Sequence, residues 1–200
     1  MPPQINFSRE TIVNTAFEIV REHGLQGISA RNVARRLNSS TQPLYREFES
    51  IQQLEHAVLK KIKEYTVAYM LRGDEAEGPF LSIGLRYVQF AREEKELFKL
   101  LYMSENHGES FQAITGPFHQ LLNRMKTDPH LQGLDEACLP GILQKMAIFT
   151  HGLTTLVWAN SIPYSEERIR DLLYEMGRVV IEWEYYRQQK TQEDECPGIE

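Results

Sequence analysis

The stretch SARNVARRLNSSTQPLYREFES, residues 29–50, constrains this chain more than any other. It reads as two short helices joined by a tight turn. Ser29 is suited to cap the first, since its hydroxyl can accept from backbone N–H groups that the helix leaves unpaired. Val33, Ala34 and Leu37 then share one face at helical spacing. Asn38 follows, and Asn tolerates the left-handed backbone of a sharp turn. Ser40 can cap the second helix, with Pro43 as its third residue, where a missing N–H costs little. Leu44 and Phe48, four apart, point inward together, which leaves Thr41, Gln42, Tyr45 and Arg46 on an exposed face.

Charge sharpens this reading. Between His23 and Arg46 there is no Asp or Glu, yet Arg31, Arg35 and Arg36 fall there and Arg46 closes the stretch, in a chain of net charge −6. Residues 1–50 hold six Arg against five Glu, while residues 51–200 carry 16 basic against 23 acidic residues. A helix-turn-helix puts its second helix in the DNA major groove, with basic and hydroxyl groups holding phosphates. An acidic remainder repels DNA and favours a single docking face. The other account of the same residues is a two-helix corner of an ordinary helical core with a solvated arginine face.

Ile12, Ala16, Phe17, Gly24, Ser29, Val33, Ala34, Ser40, Leu44, Tyr45, Phe48, Ser50 and Leu54 together resemble the TetR family of bacterial transcriptional regulators. The block PLYREFES is the most specific part: a small residue, Leu-Tyr, two variable positions, Phe, then a Ser that caps the next helix. Beyond residue 54 the likeness is one of length, helical pattern and the pair His151-Gly152 in a long late helix. The family usually has Gly where this chain has Asn38, and often a phosphate-contacting Lys where it has Ile51. The resemblance implies a homodimer on a palindromic operator. With the exposed face, it implies DNA contacts at Ser29, Arg31, Ser40, Thr41, Gln42, Pro43, Tyr45, Arg46 and Ser50.

Around this stretch the chain reads as all-α, with about nine helices. Ser8 caps a first helix that ends at Gly24, with Ile12, Ala16, Ile19 and Val20 as its buried stripe. Ser50 with Gln53 forms a capping box for a long connector helix carrying Leu54, Val58, Ile62, Tyr65 and Tyr69. A DNA-binding head is thus expected over residues 8–68, with the helix-turn-helix at about 30–49. RGDEAEGP, residues 72–79, is a polar break, and a helical body follows over 80–187. In it, Gly116-Pro117 marks a candidate kink in a helix from Phe111 to Met125. The tail 188–200 is expected to be disordered.

Several function classes find no support. No apolar run reaches the length of a membrane span. The N-terminus MPPQINFSRE lacks a basic-then-apolar signal pattern, so a cytoplasmic protein is expected. Cys138 and Cys196 form no motif and suit a reducing compartment. There is no HExxH, CxxC, Glu-x-x-His, G-x-S-x-G or Gly-rich phosphate loop, so neither enzyme, metal nor cofactor is expected. Glu105, His107 and Glu109 cluster in what reads as a hydrated polar loop.

Two constellations remain in the body. The last two helices have apolar residues on more than one face each, which calls for two neighbours. In the family this pair forms a four-helix interface with the partner subunit's pair. A homodimer interface is therefore expected at Leu153, Val157, Ile169, Leu173, Met176, Val180 and Trp183. Phe90, Phe98, Tyr102, Phe111, Phe118, Met146 and Phe149, with His151 as a polar point, suit either plain core packing or a largely apolar ligand cavity. The reading that follows is a homodimeric repressor, released from its operator by an unidentified small molecule. The alternatives are a helical enzyme or carrier that binds no DNA, and a regulator controlled by a partner protein.

Overall fold

The computed structural model describes residues 7–72, 78–103 and 118–195. Among the described residues there are nine α-helices and no strand: α1 Arg9–His23, α2 Ala30–Arg36, α3 Gln42–Glu47, α4 Ile51–Leu71, α5 Pro79–Glu93, α6 Lys95–Tyr102, α7 Phe118–Met125, α8 Leu139–Trp158 and α9 Glu166–Glu195. The all-α expectation holds. Residues 73–77 of the expected break, the 104–110 loop, Phe111, Gly116-Pro117 and residues 196–200 lie outside the described residues, as does the side chain of Phe118. The last helix does not stop near Arg187: α9 continues through Glu195, so residues 188–195 are helical rather than a loose tail. QKTQEDE has no Gly or Pro, and polar residues of this kind are compatible with helix when a packed helix precedes them.

Contacts divide the chain into two compact units, Met1–Ala68 with Glu93–Ala113, and Tyr69–Arg92 with Ile114–Glu200. In the first, Ser8 accepts from the Thr11 N–H at 3.2 Å and starts α1. Gly24 ends it at φ 73, a left-handed conformation that a side chain would strain, and its N–H bonds the Val20 carbonyl at 2.8 Å. Ile12, Ala16, Phe17, Ile19 and Val20 of α1 are buried, as are Val33, Ala34, Leu44, Phe48, Leu54, Val58 and Ile62. Helix α6 joins this unit because Leu97, Phe98, Leu101 and Tyr102 are buried and α6 packs on α1.

The second unit has its own core. Ile83, Leu121, Met125, Leu131, Leu134, Leu139, Ile142, Leu143, Met146 and Val180 form one buried cluster. Val88, Leu153, Ile169 and Leu173 form another. Helices α8 and α9 are the main packed pair. The carboxylate of Asp128, itself buried, accepts from the Phe80 N–H at 2.8 Å and so satisfies a donor in the first turn of α5 from 48 residues away.

Candidate nucleic-acid interface

Helix α2 begins where Ser29 Oγ accepts from the Asn32 N–H at 3.1 Å. It closes through Asn38, which takes φ 50, with the Ser39 N–H reaching back to the Ala34 carbonyl at 2.9 Å. The position that is usually glycine in the TetR family is thus a left-handed turn here, and Asn accommodates it. Helix α3 starts one residue later than the spacing suggests. Thr41 stands at its cap without a side-chain bond, Ser40 Oγ reaches the Gln42 N–H only at 3.4 Å, and Pro43 is the second helical residue.

Leu44 and Phe48 are buried on the inner side of this short helix, while Gln42, Tyr45 and Arg46 are exposed and Thr41 and Pro43 half-buried. Tyr45 keeps 52% of its surface accessible. Leu44 faces the core alongside Val33 and Ala34 of α2, so the outward face of α3 follows from packing on its inward face. Serines 29 and 50 act first as caps: Ser50 Oγ accepts from the Gln53 N–H at 3.3 Å, and Gln53 Oε1 accepts from the Glu49 N–H at 3.1 Å. This is the expected capping box with its return bond displaced by one residue.

The positive charge is narrower than the sequence suggests. Arg36 grips Glu22 of α1 through both terminal nitrogens, Nη1 to Oε2 at 2.6 Å. That guanidinium holds the Glu22 carboxyl below the usual carboxylate range, and the pair is electrically self-contained. Arg35 donates to Asn32 Oδ1 at 3.0 Å and stays exposed, as do Arg31 and Arg46. Arg31, Arg35, Arg36 and Arg46 are thus all exposed on α2 and α3, and of these Arg36 has its charge matched by Glu22.

Two residues of this unit escaped the sequence reading. Arg9 donates to the Glu47 carbonyl at 2.5 Å and its guanidinium lies 4.0 Å from the Phe48 ring centre. A cation in the first turn of a helix is unfavourable next to the positive end of the dipole, and that misplacement was the available signal. Glu94 has no local signal: its partner, Arg21, lies 73 residues away.

The residues expected to line a ligand cavity come from both units. Phe98 and Tyr102, their rings 5.0 Å apart, belong to the core of the first unit. Phe90, Met146, Phe149 and His151 belong to the second. There the Tyr87 hydroxyl and His151 Nδ1 are 2.9 Å apart, and burial lowers the His151 pKa below its ordinary value. The expected dimer residues also divide. Leu153, Ile169, Leu173 and Val180 are buried within their own unit, with Met176 and Val157 packed against that core; Trp183 is exposed. The large exposed apolar residues of the pair are Ile148 and Leu156 of α8 and Tyr174, Val179, Trp183 and Tyr186 of α9. The core-facing and outward stripes on α9 lie side by side, so periodicity alone did not separate them.

Among the described residues no helix is long and apolar enough to cross a membrane, and no group of three metal-ligating side chains occurs. No protein-family model and no curated protein match the chain. Solved structures do. A protein assigned to the TetR family of transcriptional regulators from Rhodococcus sp. is 20% identical, over 86% of this chain and 97% of that one, with a TM-score of 0.60. A transcriptional regulator (TerR/AcrR family) from Aquifex aeolicus VF5 is 17% identical over 86% and 98%, with a TM-score of 0.56. The multidrug binding protein EbrR, solved with imidazole, is 16% identical over 84% and 93%, with a TM-score of 0.57. The chain has the fold of TetR-family regulators.

Proposed function

We propose that this protein is a sequence-specific regulator of transcription that binds double-stranded operator DNA as a homodimer and acts as a repressor. The observation that carries the proposal is the two-sided build of α3: Leu44 and Phe48 inward, Gln42, Tyr45 and Arg46 outward beside exposed Arg31 and Arg35. Gln and Arg suit the edges of adenine and guanine in the major groove, and the Tyr45 hydroxyl suits a phosphate. Ser29, Ser40, Thr41, Pro43 and Ser50 flank that face and set its backbone. The fold shared with transcriptional regulators supports the same reading.

Dimerisation would use the outward stripes Ile148–Gly152–Leu156 and Val179–Trp183–Tyr186, since exposed apolar patches of this kind on soluble domains mark interaction surfaces. Two recognition helices would then stand about 34–36 Å apart, one turn of DNA, or a multiple of it. A small, largely apolar effector would be taken up by the second unit around Met146 and Phe149, with the Tyr87–His151 pair as its polar contact. A neighbour described as multidrug binding is compatible with such a role. An effector weakens DNA binding only by binding the two states unequally, with a coupling of about 1–3 kcal/mol.

Selection of bound DNA from a random duplex pool tests the reading. Enrichment of a pseudo-palindrome whose affinity falls steeply with salt is the expected result. A pool that stays random after repeated rounds would overturn it.

A further inference from the structure

Helix α3 spans six residues, Gln42–Glu47. A helix this short has little stability of its own, and its orientation depends on what holds its ends. At its start the cap residue Thr41 makes no side-chain bond, and Ser40 Oγ accepts from the Gln42 N–H at a long 3.4 Å. Its end lacks a glycine stop: Phe48 takes extended backbone angles, φ −135 and ψ 127, with its N–H on the Leu44 carbonyl. The last carbonyls of a helix are unpaired by construction, and here the Glu47 carbonyl receives Arg9 Nη1 at 2.5 Å. The same guanidinium covers the buried Phe48 ring at 4.0 Å. Arg9 is the first residue of α1, where its charge opposes that helix's dipole, yet it stands at the negative end of α3, where a cation is favourable.

We infer that Arg9 is a positioning residue for DNA reading: it pins the C-terminal end of α3 to α1 and thereby sets the aim of Tyr45 and Arg46. The inference rests on the proposed DNA-binding role of α3. A six-residue helix is about 9 Å long, so a 1 Å displacement of its free end tilts it by about 6°. That shift is about twice the departure of roughly 0.5 Å that productive recognition geometry tolerates. Lys cannot replace Arg here, because a single ammonium lacks the planar fork that stacks on Phe48 while donating to a carbonyl.

The test compares the full-length chain with R9K and R9M, using the duplex enriched in the selection above and a scrambled duplex. Both variants are expected to bind the enriched duplex about tenfold more weakly and the scrambled one nearly unchanged, with the salt slope preserved. A slope reduced by about one unit would make Arg9 a phosphate ligand instead, and would overturn the positioning role. Full affinity in R9K would overturn it too. Amide hydrogen exchange decides the anchoring without DNA. In R9M, exchange at residues 45–48 is expected to rise about tenfold while α1 and α2 hold. Unchanged exchange there, or a uniform rise across residues 9–68, would overturn the inference. If the wild-type chain enriches no duplex, the regulatory reading fails and the positioning role for DNA fails with it, while the exchange result still reports whether Arg9 anchors α3.

Discussion

Arg21 of α1 donates to both carboxylate oxygens of Glu94, Nε to Oε2 at 2.9 Å and Nη2 to Oε1 at 2.7 Å. Glu94 is only 7% exposed, and the Tyr65 hydroxyl of α4 gives Oε1 a further bond at 2.7 Å. Glu94 occupies the cap position of α6, yet its side chain makes no cap bond. It joins α1, α4 and α6 instead. The fork pairing raises the Arg21 pKa further above its already high value, so Arg21 stays charged at any physiological pH.

Because one partner is buried, breaking the pair from one side should cost more than removing it whole. R21M leaves a buried carboxylate with one donor fork missing, and is expected to lose about 3 kcal/mol. R21M/E94L is expected to recover most of that loss. Urea denaturation of the two variants measures both values; equal destabilisation would show that the pair's charge is not the issue.

The outward face of α3 yields a graded set of DNA effects. R46A is expected to relax discrimination at one base position by about 1–3 kcal/mol, and Y45F to weaken all operators alike. Titration of each variant against single-base operator variants separates the two patterns. An R46A protein with unchanged preference at every position would mean that α3 does not read bases through this residue.

On the last two helices, neighbouring residues should behave oppositely. Trp183 is 53% exposed and stacks on Tyr186, whereas Val180 is 8% exposed and belongs to the unit's core. W183D is expected to give a folded monomer, and V180D an unfolded or insoluble chain. Sedimentation equilibrium with circular dichroism distinguishes them. Gly152 lies exposed between Ile148 and Leu156, and an added Cβ would meet nothing within 4 Å of its own chain. G152A should therefore favour the helix by about 0.5–1 kcal/mol in the monomer. In a dimer whose backbones approach there, it should weaken association instead.

His151 sets a pH dependence. Burial lowers its folded-state pKa below the ordinary 6.5 of the unfolded chain. Between those two values the unfolded chain binds the proton and the folded one resists it, so the unfolded state gains. Stability is thus fully present above about 6.5 and falls as pH drops towards the folded value. H151Q is expected to flatten the fall in Tm between about pH 7.5 and 5. An identical slope in the variant would remove His151 as the cause.

Local chemistry determined what could be read without a structure. The caps at Ser8, Ser29 and Ser50, the stop at Gly24 and the left-handed turn at Asn38 depend on residues within a few positions of each other. So does the inward face of α3, because Leu44 and Phe48 repeat at the helical period. The tertiary structure alone decided the rest. The division of Phe98 and Tyr102 from Met146 and Phe149 depends on which unit each helix joins, and helices α6 and α8 carry the same kind of apolar stripe. The core role of Ile169, Leu173 and Val180, against the outward role of Val179 and Trp183, turns on the rotation of α9 about its axis. In sequence Arg36 counts only toward the basic stretch, and neither Arg9 nor Glu94 reveals its partner. The partners of Arg9, Arg36 and Glu94 lie 38, 14 and 73 residues away, and only chain folding brings such distant groups within hydrogen-bond reach.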